Sequence, residues 1–74
     1  MNKSKEIIQT ESDAAYMYEQ LALMQEDEQI RQFYMEMAAI EGGHRDSFLK
    51  EIRETFPTFK TPVPSTRAKI LVWL

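Results

Sequence analysis

The chain contains no cysteine, one histidine, three prolines and two glycines among its 74 residues. Without thiols it holds no disulfide framework, no Cys-ligated zinc, no iron–sulfur cluster and no thiol nucleophile. Nine Lys and Arg stand against twelve Asp and Glu, a formal net charge of -3, and no basic run interrupts the mixture. An electrostatic footprint for nucleic acid or anionic lipid is therefore missing. Long apolar runs are missing as well. No window approaches the roughly 20 apolar residues that span a bilayer. The Ile7-Ile8 pair that follows the opening lysines is too short and too polar a stretch for a signal peptide. The expectation is a cytoplasmic chain with no membrane span and no nucleic-acid partner.

What is present is helix former. From Lys5 to Thr55 there is no proline, the only glycines are Gly42 and Gly43, and Glu, Gln, Ala, Leu, Met and Arg dominate, as α-helix requires. Pro57, Pro62 and Pro64 then block helix and favour an extended connector. Ser65 or Thr66 caps a further segment that runs to Ile70-Leu71-Val72-Trp73-Leu74 with no closing signal, which reads as an excerpt of a longer chain. Three units follow: a helical hairpin over 1–56, a Pro-rich connector over 57–66, and the start of a short, truncated helix over 67–74.

Phase divides the first unit. Ile7, Ile8, Ala14, Ala15, Tyr18, Leu21 and Ala22 form one stripe, and Ile30, Phe33, Met37, Ile40, Phe48 and Ile52 form another, offset by about one residue. A break within Gln25-Glu26-Asp27-Glu28 accounts for the jump, with Asp27 capping the second helix and Glu28 in its first turn. The predicted fold is all-α, an antiparallel hairpin. A chain this short leaves much of its apolar surface in water, so it needs a metal or a second copy.

Three polar residues intrude on these stripes. Glu11 stands at the centre of the first, where an unpaired carboxylate would cost several kcal/mol. Glu41 and His44 straddle the centre of the second at i, i+3 spacing, which aims both into one region. Glu11 lies about 15 residues before the turn and the Glu41/His44 pair about 15 after it, each roughly 22 Å from it at 1.5 Å per residue. All three meet at one level. Carboxylates in the majority with one imidazole suit iron, with manganese or zinc as substitutes. One hairpin supplies half of the four-Glu, two-His set of a di-iron carboxylate centre in a four-helix bundle, and a homodimer completes it.

Glu11 through Tyr18 to Leu21-Ala22, followed by Glu41-Gly42-Gly43-His44, resembles the helix-pair signature of ferritin-like, rubrerythrin-type proteins. It is most similar to half-ferritins such as the encapsulated ferritins, over about residues 5 to 56. The resemblance implies a hairpin that dimerises, or assembles further, into a ferritin-like four-helix bundle around a shared di-iron ferroxidase site. Glu11, Glu41 and His44 would be its metal ligands and catalytic residues, with Glu41 bridging. It implies iron(II) oxidation by O₂ in iron storage, detoxification or transport. The Pro-Val-Pro-Ser-Thr-Arg ending resembles the stretch after such hairpins in domains fused to vacuolar-iron-transporter-like membrane proteins. An encapsulating shell or a C-terminal transporter domain is thus an implied partner, and the inside of a shell or a membrane tether an implied setting.

The sequence also departs from the family. Thr10 and Asp13 flank Glu11 where encapsulated ferritins often carry extra carboxylates, so the likeness does not extend to a secondary iron-entry site, and no shell-targeting tail is visible. The four cysteines of a rubredoxin module are missing, which disfavours self-contained peroxidase turnover. Two rivals stay open: an iron-binding sensor or docking domain that does not oxidise, and a metal-free oligomerisation module in which the polar trio sets register.

Overall fold

In the computed structural model, which describes residues 2–73 and the side chains of 5–72, the chain is all-helical. Met1 and Leu74, the outer limits of the first and last predicted units, lie outside the described residues. Helix α1 spans Asn2–Met24, α2 spans Glu28–Thr55 and α3 spans Thr66–Trp73. Among the described residues there is no strand, and no helix is long and apolar enough to cross a membrane.

Local chemistry sets each boundary. Asp27 caps α2 in extended backbone, its carboxylate accepting from the amides of Gln29 at 2.9 Å and Ile30 at 3.2 Å, while Glu28 faces the positive end of the helix dipole. Arg31 braces the same turn through Glu28 and the carbonyl of Gln25. α2 closes where Pro57 follows Phe56, whose amide still donates to the Ile52 carbonyl at 2.8 Å. Ser65 opens α3, its hydroxyl accepting from the Ala68 amide at 3.1 Å.

The seam between α1 and α2 is narrow and alanine-lined on the turn side and carries large side chains at the far end. Ile8, Ala15 and Ala22 are buried on α1, Ala38, Leu49 and Ile52 on α2, and Ile8, Leu49 and Ile52 form a cluster against which Phe48 and Phe59 pack. The second stripe therefore divides. Ile52 enters the core and Met37 and Phe48 are half-buried, but Ile30, Phe33 and Ile40 remain 44%, 55% and 50% exposed. Periodicity groups residues by angle alone, and the narrow alanine seam turns these larger neighbours outward.

The Pro-rich connector is a built strap. Arg53 holds it from α2, donating to the Phe59 carbonyl at 2.9 Å and the Thr61 hydroxyl at 3.1 Å. On α1, Gln9 donates to the Val63 carbonyl at 2.9 Å, and Asp13 accepts from the Ser65 amide at 2.8 Å and hydroxyl at 2.6 Å. α3 then packs on α1 alone through buried Ala68. At about 100° per residue, Gln9 and Asp13 point away from the α2 seam. α1 is thus sandwiched between α2 and α3, and Glu11 lies at the edge of the α2 seam, about 40° from its centre on the helical wheel.

Candidate metal centre

The antiparallel seam fixes relative height, so Glu11 on α1 comes opposite the Glu41–His44 turn of α2. One ligand atom from each of Glu11, Glu41 and His44 lies within 4.8 Å of the other two. His44 Nδ1 is 3.4 Å from Glu11 Oε2, within ion-pair distance when the imidazole is protonated. That contact lacks hydrogen-bond geometry. Glu11 Oε2 is buried with no hydrogen-bond partner among the described residues, although the Glu11 side chain as a whole keeps 20% of its exposure and His44 keeps 56%. A buried carboxylate oxygen without a donor costs on the order of 1–3 kcal/mol or more, so the metal-free arrangement carries an unmet demand for positive charge or a proton.

Glu41 answers part of that demand. Its carboxyl is pushed above its ordinary value, chiefly because the Glu11 carboxyl is placed to share a hydrogen bond with it, then by burial and by the negative charge on Glu11, while His44 pulls the other way. Two carboxyls crowded at one point either hold a proton between them or hold a cation. Oxygen donors in the majority with one imidazole fit iron, manganese or zinc, and three donors from one chain leave a hard transition-metal ion short of its full coordination.

No family model, curated protein or solved structure matches the chain. The case for the site thus rests on its own residues.

The remaining singled-out residues fall around this centre. Tyr18 stacks on Tyr34 across the two helices with ring centroids 6.1 Å apart, and exposed Phe33 meets Tyr34 edge-on at 5.6 Å. Asp13 turns out to be occupied elsewhere. Burial pushes its carboxyl up, but the Ser65 hydroxyl and amide, the Gln9 amide and the charge of Arg67 together hold it below its ordinary value. Ser12 escaped the sequence reading altogether: it is 4% exposed and its hydroxyl has no partner. A lone serine in a helix pattern carries no signal of burial, and only the angle it shares with Ile8 and Ala15 hinted at it.

Proposed function

We propose that two copies of this chain pack face to face as a ferritin-like four-helix bundle, hold a pair of iron ions where their Glu11, Glu41 and His44 sets meet, and oxidise iron(II) with O₂. The observation that supports this most is the buried, unpartnered Oε2 of Glu11 converging with Glu41 and His44. Beside it runs the uncovered apolar face of Ile30, Phe33 and Ile40, the surface a second hairpin would bury.

In this reading iron(II) is the substrate, each ion giving up one electron and the pair passing two to O₂. Glu11 and Glu41 supply anionic oxygens that favour the more highly charged ferric product over iron(II). His44, on the solvent side of the trio, supplies a neutral nitrogen that fixes each ion in place. Because Glu41 holds its proton more tightly than usual, loading displaces that proton and metal affinity rises with pH.

The raised Glu41 carboxyl also favours a second reading, a metal-free module in which Glu11 and Glu41 share a proton and set the register of the oligomer. One experiment separates the two. Aerobic addition of iron(II), followed by the ultraviolet absorbance of ferric product, should show oxidation faster than in buffer, with about one iron retained per chain. His44→Ala or Glu11→Ala should lower that stoichiometry. Full retention by both variants, or no acceleration and no bound iron in the unaltered protein, would refute the proposal.

A further inference from the structure

We propose that Gly42–Gly43 is a hinge in α2 that parts Glu41 from His44 to admit the metal ion. The inference rests on the metal reading above and adds a way into the site. These are the only glycines of the chain, and they are the two residues that separate Glu41 from His44.

Nothing in the fold requires glycine at either position. α2 runs unbroken through both residues, and neither has a positive φ. A Cβ built at Gly43 meets no atom within 4 Å, and one at Gly42 meets only the guanidinium tip of Arg45 at 3.6 Å, an ordinary contact with a flexible end. Among the described residues no helix presses close enough to exclude a side chain. Alanine fits at both sites and would favour the helix, so the glycines weaken a turn whose packing does not call for it.

The surroundings suit a hinge. Buried Ala38 anchors α2 before the turn and buried Leu49 anchors it after, so the soft stretch lies between two fixed ones. Its outer side faces an open groove of about 400 Å³ lined by Ala15, Ala39 and both glycines, so the turn opens against solvent. In an α-helix the amides of Arg45, Asp46 and Ser47 bond back to the carbonyls of Glu41, Gly42 and Gly43. Breaking those bonds frees His44 from Glu41.

The test compares the unaltered protein with Gly42→Ala, Gly43→Ala and the double variant. In metal-free protein, amide exchange at residues 45–47 should slow by about fivefold for each alanine and about 30-fold for both. Anaerobic stopped-flow mixing with cobalt(II), read by its visible absorption, should give association at least about tenfold slower in the double variant at unchanged final stoichiometry. Association as fast as in the unaltered protein would overturn the hinge and leave the metal site standing. If the unaltered protein takes up no cobalt(II), the metal site fails and the hinge with it. If the alanines change the sedimentation behaviour or lower the melting temperature, the glycines seat a close-packed helix of another chain, and the hinge is wrong.

Discussion

Asp13→Ala is the sharpest test of the folded chain. The Asp13 carboxylate takes three hydrogen bonds, from Gln9 Nε2 at 2.9 Å, the Ser65 amide at 2.8 Å and the Ser65 hydroxyl at 2.6 Å. Bonds to a charged acceptor contribute about 1.5–3 kcal/mol each when well shielded, and at a partly exposed carboxylate they fall to about 0.7–1 kcal/mol each. Removing it also undoes the start of α3, whose hydroxyl cap is the same Ser65. The expected loss is about 2–3 kcal/mol, or roughly 10–20 °C in melting temperature for a domain of this size. Asp13→Asn keeps one acceptor oxygen and should lose about half as much. Far-ultraviolet circular dichroism melts measure both. Two residues from Glu11 is about 200° around the helix, so iron stoichiometry should not change. A loss below about 0.5 kcal/mol would show that the strap contributes nothing and would refute the account of α3.

Three further outcomes are expected. Stability of the metal-free protein should depend on pH in two windows: the raised Glu41 carboxyl contributes stability that is full below its ordinary value and is lost as pH climbs through the folded one, while the lowered Asp13 carboxyl contributes stability present above its ordinary value and lost as pH falls through the folded one. Melts in mild acid should therefore exceed those at neutral pH and at strong acid, and a melting temperature that only rises towards neutrality would contradict this. Glu11→Gln should raise the melting temperature of metal-free protein at neutral pH by relieving the crowded carboxylates, and should abolish the gain on adding iron; equal or lower stability without metal counts against a strained carboxylate pair. Phe33→Ser should weaken self-association at least about tenfold in sedimentation while the monomer keeps its helicity, because Phe33 lies outside the α1–α2 seam; unchanged association would place the interface elsewhere.

Features encoded locally were legible in the sequence. The turn at 25–28, the Asp27 cap, the end of α2 at Thr55 and the start of α3 after Ser65 are each announced by residues within a turn of where they act. The level shared by Glu11, Glu41 and His44 was also legible, because antiparallel helices turn sequence distance from the loop into height. Long-range polar contacts were not. Asp13 and Ser65 are 52 residues apart, and nothing in either stretch marks them as partners, so Asp13 reads as a neighbour of Glu11 rather than as the anchor of α3. Periodicity also left unseparated the face that packs within the chain and the face left open. Ala38 lies deeper than Ile40 and Phe33, because close helix approach selects small side chains, and hydrophobic strength does not reveal which face is narrow.

On the turn side of the hairpin the usual plan is inverted, with alanines inside and Ile30, Phe33 and Ile40 outside, and the consequence is a matter of dilution. If Ile30, Phe33 and Ile40 find cover only on another chain, much of the hydrophobic free energy belongs to association, and each tenfold fall in concentration takes about 1.4 kcal/mol from every mole of dimer. Melting would then move with the amount of protein in the cuvette. So would chemistry: at concentrations below the dissociation constant, the density of complete two-chain sites scales with the square of the chain concentration, so doubling the protein would quadruple the sites.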